Sequence, residues 1–383
     1  MSNSRYFPDQ PVNFNETLMA TILGYFDQRQ LLQARCVNSH WKNLVDNIKN
    51  MQAILAACGL PGKLEKLTKL HGGLTNVTYR ITVANHAYVA RLPGKNTSYI
   101  EGVNESYNAQ LASSVTINPA IHFYEESTRR QLSDYLFEPQ PMSLLLLQKN
   151  NLLEQATLTL KAIHQSKRKF KNDVNIFARN RTMLGIANHH DVELPEKYAL
   201  LMQGIESIIR QLNIEKIPCH NDTTPANFIL SQEKMWLIDW EYSGNNYPVW
   251  DLICLAIEAD FSDQQIAYMF NIYYGEIDKT NRFLFYLLQP VYAYWAALWY
   301  QVQITNKNYT DDNSPEFSER LKQEYLVKCK NLLDGERFRE AHRFFLAQQQ
   351  LQIATTKLGV FDNPDSDHKI NKGNVELSRG FTH

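Results

Sequence analysis

The sequence lacks long hydrophobic runs, an N-terminal targeting pattern and any C-x-x-C pair. Its longest apolar runs, at residues 144–147 and 291–300, are far shorter than the roughly 20 residues that a membrane-spanning helix requires. Residues 1–14 do not combine a charged segment with an apolar one, so we expect no secretory signal peptide. The five cysteines are scattered and odd in number, which argues against a disulfide framework or a zinc site and fits a reducing compartment; they are residues 36, 58, 219, 254 and 329.

The sequence also lacks an excess of either charge. Lysine and arginine total 39 and aspartate and glutamate total 40, so no overall field attracts nucleic acid or an anionic membrane. Apolar residues make up 44% and charged residues 21%, which is a globular composition. A chain of 383 residues is long enough for roughly two or three domains. We therefore expect a globular cytoplasmic protein without a nucleic-acid partner.

The order of helical and β-rich segments divides the chain into five parts. Residues 8–50 have the spacing of a short helical module, and residues 51–63 form a connector that ends in Gly-Leu-Pro-Gly. Residues 64–138 contain five β-rich runs and one helical run, which predicts a small antiparallel sheet. Helical periodicity dominates residues 139–350, and the polar residues 363–383 are predicted to form a flexible tail. This order resembles the bilobal α+β layout of protein-kinase-like folds.

The strongest chemical signal lies beside the one β-like insert of the helical lobe, residues 228–240. The segment HNDTTPAN at residues 220–227 precedes this insert, and Asp239 lies near its far end. Phosphoryl transfer needs a carboxylate to orient and deprotonate the attacking hydroxyl, and oxygen ligands to hold magnesium on the phosphates. A hairpin in the insert would bring Asp222, Asn227 and Asp239 together. The alternative is that Asp222 caps a helix and the other two are ordinary turn residues.

The same segment resembles the H-x-D-x-x-x-x-N loop and the I-D-[WF]-E-Y-[SA] metal segment of the choline/ethanolamine kinase and aminoglycoside phosphotransferase group. The resemblance covers residues 64–345 and implies a kinase that uses ATP and Mg²⁺. It implies Asp222 as the catalytic base, and Asn227 and Asp239 as catalytic residues that bind the metal. His220 would be a structural brace of the loop.

A glycine-containing segment, HGGLTN at residues 71–76, precedes the first long predicted strand. Two glycines let the backbone approach phosphates closely, although such a pair before a strand can equally be only a turn. The segment resembles the G-G-[LM]-[ST]-N loop of choline kinases. The nucleotide-binding residues that this resemblance implies are Gly72, Gly73, Thr75 and Asn76. Arg91 is at the position of the cation that binds the α- and β-phosphates in those kinases, with Glu105 as its implied partner; the alternative is an ordinary surface ion pair.

Aromatic residues of the helical lobe predict the substrate. An aromatic pocket can bind a quaternary ammonium through cation–π contacts, and choline kinases use a tyrosine, a tryptophan pair and an acidic residue for this. The matching residues here are Tyr242, Trp295, Trp299 and Glu258, with Tyr292 and Tyr294 as further candidate walls. The two tryptophans are four residues apart here and three apart in the family. The alternative is that these rings only fill the core, and ethanolamine, thiamine or an aminoglycoside are alternative acceptors to choline.

The N-terminal module, residues 8–50, resembles an F-box, which docks on the Skp-type adaptor of cullin–RING ubiquitin ligases. An apolar stripe from Phe14 to Phe26 and the later Trp41 carry the resemblance, and Asn15 replaces the usual proline. It implies an adaptor as partner and a eukaryotic cytosol as location, reached by secretion if the source is a bacterium. One alternative is a helical extension packed on the kinase's own small lobe. Another is an adaptor protein whose kinase-like domain binds a target without catalysis, although the filled catalytic positions favour an active enzyme.

Overall fold

The structure, a computed structural model, describes residues 28–35, 39–60, 64–70, 76–94, 104–187, 191–212, 214–275, 278–309 and 314–359. Several predicted features lie outside these residues. They are the whole F-box-like stripe at residues 14–26, the tail at 363–383, and the loop residues Gly72, Gly73 and Thr75.

The small lobe is a five-stranded antiparallel sheet with strand order β1-β2-β3-β5-β4. Its strands are β1 Leu64–Leu70, β2 Asn76–Val83, β3 His86–Pro93, β4 Ile121–Glu125 and β5 Arg130–Asp134, with helix α3 Glu105–Ser114 between β3 and β4. The β2–β3 hairpin turns at Ala84 and Asn85, whose φ angles are 49° and 61°. Two residues at positive φ match the right-handed twist of the paired strands. The prediction of an antiparallel five-stranded small lobe is confirmed.

Two helices, α1 Gln28–Arg35 and α2 Ser39–Cys58, precede this sheet. Helix α2 spans the predicted boundary at residue 50 without a break. Ile48, Met51 and Ile54 are fully buried in one apolar cluster with sheet residues such as Tyr79. Asn47 Nδ2 also donates to Tyr79 OH at 2.9 Å. The described part of the module therefore packs on the small lobe, as the alternative of a helical extension requires.

The large lobe is mainly helical, in agreement with the predicted bilobal fold. Its helices are α4 Leu144–Leu147, α5 Asn150–His164, α6 Ile176–Ile186, α7 Glu196–Gln211, α8 Val249–Glu258, α9 Asp263–Tyr274, α10 Lys279–Asn306, α11 Pro315–Leu333 and α12 Glu336–Gly359. Helices α8 and α10 are apolar on most of their surfaces and lie in the centre of the core. Within the described ranges, no helix has both the length and the apolar character needed to cross a membrane.

Two short antiparallel sheets connect the helices of the large lobe. The first has the order β6-β8-β9 and consists of β6 Gln140–Pro141, β8 Phe228–Ser231 and β9 Lys234–Leu237. The second pairs β7 Ile217–Cys219 with β10 Gly244–Asn246. A β-carbon on Gly244 would lie 2.6 Å from Asn172 Nδ2 and 2.7 Å from Val174 Cγ2. Only glycine permits this approach, which holds residues 172–174 against the strand that follows the metal segment.

Candidate active site

The predicted catalytic loop leaves strand β7 and enters a single 3₁₀ turn, Pro225–Asn227, which leads into β8. Proline suits the start of this turn because its fixed φ is helical and its missing N–H would have no partner there. The turn directs Asn227 back over the loop, so that its Nδ2 donates to Asp222 O at 2.8 Å and to Asp222 Oδ2 at 3.1 Å. Because the amide nitrogen faces the carboxylate, the Asn227 oxygen is the atom left for a cation.

The segment that carries Asp239 lies next to this loop. Asp239 has a φ of 66°, a left-handed conformation that is costly for a residue with a side chain and persists where neighbouring contacts enforce it. Ile238 N donates to Asn227 O at 3.0 Å. His220 Nε2 donates to Ile238 O at 2.8 Å, and His220 Nδ1 accepts from Asp222 N at 3.3 Å. Burial lowers the pKa of His220, so a neutral ring links the two segments.

Asp251, in the first turn of α8, fixes the start of the catalytic loop. Its Oδ2 accepts from His220 N at 2.8 Å and its Oδ1 from Asn221 N at 2.7 Å. Thr223 Oγ1 donates to Asp251 O at 2.6 Å. Asn221 has a φ of 68°, and its side chain bonds to the main-chain oxygens of residues 219, 242 and 244. The bonds to Asp251 and those of the Asn221 side chain therefore offset the strain of this left-handed residue.

Arg91 connects the small lobe to the metal segment. The Arg91 guanidinium bonds to Glu105 through Nη2 and to Asp239 Oδ1 through Nη1 at 2.8 Å. Tyr124 OH holds the other Glu105 oxygen at 2.8 Å. Burial acts to lower the pKa of Arg91, but the carboxylates of Glu105, Asp239 and Glu241 outweigh it and raise the pKa above its ordinary value. Arg91 is only 9% exposed, so this ion pair is not the surface pair of the alternative interpretation.

A second contact between the lobes starts at the first residue of β2. Asn76 Nδ2 donates to Glu241 Oε2 at 3.0 Å. Burial, followed by the charges of Asp239 and Glu105, raises the pKa of Glu241 to about 8. Asn76 is the last residue of the glycine-containing segment, so the described end of that segment lies beside the metal segment.

Most of the aromatic residues predicted for the substrate contact one another within the large lobe. Trp299 Nε1 donates to Tyr242 OH at 2.9 Å, and the Trp295 ring meets the Tyr242 ring edge-on with 5.9 Å between centroids. The four-residue spacing on α10 places both tryptophans on one helix face, where each contacts Tyr242. Tyr292 also belongs to this group, 5.6 Å from Trp295, whereas Tyr294 donates to Val192 O at 3.3 Å on another side of the helix.

Glu258, at the end of α8, is the acidic residue of this aromatic group. Its Oε1 accepts from Tyr292 OH at 2.9 Å and from Tyr325 OH at 2.5 Å. Glu258 is 9% exposed, and its charge contributes to the raised pKa of Asp222. Glu258 therefore lies beside the aromatic group, held by the hydroxyl groups of two tyrosines.

A family model described as choline/ethanolamine kinase matches residues 67–309, which is more than half of the chain. The chain belongs to the choline/ethanolamine kinase family. Its relatives include the protein LicA of Haemophilus influenzae, 25% identical over 217 residues, a match that covers 55% of this chain and 63% of LicA. The chain thus spans somewhat less than two thirds of that relative. The expected kinase-family resemblance is confirmed at this level.

Solved structures also resemble this kinase-family chain. A choline/ethanolamine kinase family protein from Mesorhizobium loti is 26% identical with a TM-score of 0.65, covering 78% of this chain and 98% of that one. The choline kinase LicA from Streptococcus pneumoniae is 19% identical with a TM-score of 0.60, covering 74% and 99%. A LicA structure in complex with AMP is 19% identical with a TM-score of 0.57, covering 74% and 98%. The last two likenesses establish the fold alone.

Oxygen ligands and excess negative charge make the centre of this kinase-family site suitable for Mg²⁺. Burial raises the pKa of Asp222 to about 7, with further contributions from Asp239 and Glu258. Asn227 and Asp239 offer the hard oxygen donors that Mg²⁺ prefers, and a divalent cation would offset the crowded carboxylates. Arg91 Nε is buried without a hydrogen-bond partner among the described residues. An unpaired buried N–H is unfavourable, and an anionic phosphate oxygen would satisfy it.

Sequence reasoning assigned no role to several residues that shape the site. Arg179 Nη1 and Nη2 each donate to Tyr242 O at 3.1 Å, and Tyr325 bonds to Glu258. His164 contacts Asp251 from the end of α5. Each of these three residues is a single polar residue on a helix, and its hydrogen-bond partner lies 63 or more positions away in the sequence. The local sequence pattern therefore does not indicate that the residue belongs to the site. Glu241 lies inside the recognised metal segment, and that position was its only sequence signal.

Proposed function

We propose that this chain is an ATP- and magnesium-dependent kinase that phosphorylates the hydroxyl group of choline or a related amino-alcohol. The observation that carries the proposal is the meeting of Asp222 and Asn227 with Asp239, which is ion-paired to Arg91 of the opposite lobe. A carboxylate for the hydroxyl, oxygen donors for magnesium and a buried cation for the phosphates are the parts that phosphoryl transfer needs.

Asp222 acts as the general base in this proposal. Asn227 occupies Asp222 Oδ2, which leaves Oδ1 to accept the proton of the substrate hydroxyl. A pKa of about 7 makes Asp222 a stronger base than an exposed carboxylate. As the hydroxyl oxygen forms its bond to the γ-phosphorus, the bond to the leaving ADP oxygen breaks and the proton moves to Asp222. Magnesium held by Asn227 and Asp239 supplies charge neutralisation of the phosphates when bound.

The nucleotide side of the proposal consists of Arg91, held by Glu105, and the loop Gly72, Gly73, Thr75 and Asn76. Arg91 already has two carboxylate partners, so its guanidinium is oriented before ATP arrives. Preorganised cations lose less freedom on binding phosphate. The choline kinase name of one solved relative and the AMP-bound LicA support a nucleotide at this site.

The substrate side consists of Tyr242, Trp295, Trp299 and Glu258. A cationic head among these rings would gain cation–π contacts and attraction to Glu258. The choline and ethanolamine kinase names of the relatives favour these acceptors. Thiamine and aminoglycosides are the alternative acceptors, and an experiment has to separate them.

Activity measurements on the full chain test the proposal. Choline, ethanolamine, thiamine and an aminoglycoside are each incubated with ATP and Mg²⁺, and the phosphorylated product is identified by ³¹P NMR. Asp222→Asn removes the base at constant size, so we expect a loss of about 10²- to 10⁴-fold in turnover. Asp260→Asn, at an exposed residue with a φ of 50°, is the matched control. Wild-type turnover by Asp222→Asn, or no turnover of any acceptor by the unmodified chain, contradicts the proposal.

Docking of residues 8–50 on a Skp-type adaptor stays a prediction, as does a location in a cytosol reached by secretion. The apolar face of α2 is buried on the sheet, so an adaptor would need other residues of the module. A pull-down with purified adaptor, repeated after removal of residues 1–27, tests the prediction. Absence of binding by the full chain would reject it.

A further inference from the structure

One helix of the small lobe packs with the large lobe. Helix α3 lies between strands β3 and β4 in the sequence, but its buried apolar side chains, Ala109, Leu111 and Ala112, belong to the apolar cluster of the large lobe. The buried apolar side chains of strands β2 and β3 belong instead to a separate cluster with α1 and α2. The helix that carries Glu105 therefore packs with the large lobe, whereas the sheet that carries Arg91 packs with the N-terminal helices.

Asn108 is a polar residue on the buried face of α3, three residues after Glu105 and therefore next to it on the helix surface. Its side chain is completely buried. Asn108 Nδ2 donates to Ser243 Oγ and to Asn172 Oδ1, each at 3.0 Å, and Ser243 O is a third acceptor at 3.4 Å. Asn108 Oδ1 is buried without a hydrogen-bond partner among the residues that the structure describes. An unpaired buried oxygen is unfavourable, so this amide is stabilised through its nitrogen.

The two side chains that accept from Asn108 are bonded to the metal segment. Ser243 Oγ donates to Trp240 O at 2.6 Å, so the hydroxyl proton is in use and the hydroxyl oxygen accepts from Asn108. Asn172 Nδ2 donates to Ser243 O at 2.9 Å. Trp240 and Ser243 follow Asp239 in the same segment. Asn108 therefore connects α3 to the segment that contains the predicted metal ligand Asp239.

Helix α3 begins without a capping side chain in the described part of the chain. Its N-cap residue, Asn104, has a φ of 70° and makes no capping hydrogen bond with its side chain. Glu105 is the first residue of the helix, and its carboxylate bonds to Arg91 and Tyr124, which both lie on the sheet. Since no cap fixes this end of the helix, the place of Glu105 relative to the large lobe depends on tertiary contacts such as those of Asn108.

We propose that Asn108 is a positioning residue that attaches α3 to the metal segment and thereby fixes Glu105 relative to Asp239. Arg91 binds both carboxylates with one rigid guanidinium group, so the two must keep a constant separation. Without the bonds of Asn108, α3 can shift on the large lobe, and Arg91 is no longer oriented for a phosphate before ATP binds. The kinetic part of this proposal rests on the proposed kinase function, whereas the attachment of α3 does not.

Two variants remove this attachment from opposite sides. Asn108→Ala removes the amide, and because alanine has a higher helix propensity than asparagine, a loss cannot come from a weaker helix. Ser243→Ala removes one acceptor oxygen and is the milder change. Gln110→Ala is the matched control: it also replaces an amide by alanine on α3, but Gln110 is exposed and its Nε2 donates to Ser106 Oγ of the same helix at 3.2 Å.

Steady-state kinetics of the full-length chain, with varied ATP and saturating choline, measure the effect. We expect kcat/KM for ATP to fall about 5- to 100-fold in Asn108→Ala and about 2- to 10-fold in Ser243→Ala, the ranges for losing two and one neutral hydrogen bonds. KM for choline should stay within about twofold in Asn108→Ala, because the aromatic group lies on other elements, and Gln110→Ala should behave as wild type. In a Glu105→Gln background, Asn108→Ala should have no further effect on kcat/KM for ATP, because Asn108 acts through Glu105.

Hydrogen exchange of the peptide that contains residues 105–114 gives a second measurement that is independent of turnover. It should accelerate in Asn108→Ala and Ser243→Ala but not in Gln110→Ala, while strands β2 and β3 keep wild-type exchange. Unchanged exchange in Asn108→Ala overturns the proposal, as does an unchanged kcat/KM for ATP or a full further loss in the Glu105→Gln background. If Asn108→Ala does not fold, the same measurements on Ser243→Ala decide. If the wild-type chain phosphorylates no acceptor, the proposed kinase function fails, and the exchange data alone decide whether Asn108 holds α3.

Discussion

Replacement of Arg91 by lysine tests whether the guanidinium is needed for its geometry or only for its charge. Arg91 Nη1 and Nη2 bond to carboxylates from two different lobes, Asp239 and Glu105. A lysine ammonium is a compact point charge on a flexible stem, and from the same backbone position it can reach only one of them well. Loss of one charge-assisted hydrogen bond is worth about 1.5–3 kcal/mol.

That free energy corresponds to a decrease in kcat/KM for ATP of roughly 10- to 150-fold for Arg91→Lys. Steady-state kinetics with varied ATP at saturating acceptor measure it, and thermal unfolding confirms that the variant is folded. Arg80→Lys is the control, since Arg80 is an exposed residue of the neighbouring strand with its guanidinium 4.2 Å from the Tyr135 ring centroid. Arg80→Lys should stay within about twofold of wild type. If kcat/KM for ATP of Arg91→Lys also stays within about twofold of wild type, the site needs only a positive charge at residue 91 and not the two-carboxylate geometry of arginine.

Two further predictions concern the substrate pocket and the fold. Glu258→Gln removes a charge worth about 1–2 kcal/mol to a nearby cation, so KM for choline should rise roughly tenfold. KM for its uncharged isostere 3,3-dimethylbutan-1-ol should not change, and an equal rise for both alcohols would exclude a charge role for Glu258. Gly244→Ala should lower the free energy of unfolding by about 1–3 kcal/mol because the new β-carbon clashes with neighbouring side chains. Gly185→Ala, on α6 with open space around it, should instead stabilise the chain by about 0.5–1 kcal/mol in the same urea titration; equal shifts would disprove the clash.

The strands of the small lobe could be predicted where pairing is local. The β2–β3 hairpin combines two β-rich runs with a two-residue connection, so its register follows from the turn. The sequence also predicts a strand over residues 117–124, but β4 is Ile121–Glu125. Ile117 O instead accepts from Leu237 N at 2.8 Å, 120 positions away. Local alternation contains no information about such a contact.

The short second sheet of the large lobe was not predicted for a different reason. Strand β10 is Gly-Asn-Asn, a composition typical of turns, yet all three residues are buried. Asn245 Nδ2 donates to Phe170 O at 2.8 Å, and Asn246 Nδ2 donates to Asn221 Oδ1 at 2.8 Å. Tertiary hydrogen bonds thus override a local preference for a turn.

The candidate site was predictable where its residues follow one another in a motif. Asp222, Asn227 and Asp239 are separated only by a loop and a hairpin, so the topology itself brings them together. By contrast, Tyr325 reaches Glu258 across 67 positions, and His164 reaches Asp251 across 87. Those contacts depend on how whole helices pack, which spacing within a single helix does not encode.

The pairing of β6 with β8 fixes where the chain passes from the small lobe into the helical lobe. The chain enters the helical lobe through Gln140–Pro141, which pairs with Leu230 and Ile229, a few residues beyond Asn227. A swing of the small lobe about this pivot would leave the metal-side amide almost stationary. Arg91, on strand β3 of the small lobe, would move with that lobe and break its hydrogen bond to Asp239. Under the proposed kinase function, such a swing would separate Arg91 from Asp239 while the catalytic loop keeps its shape.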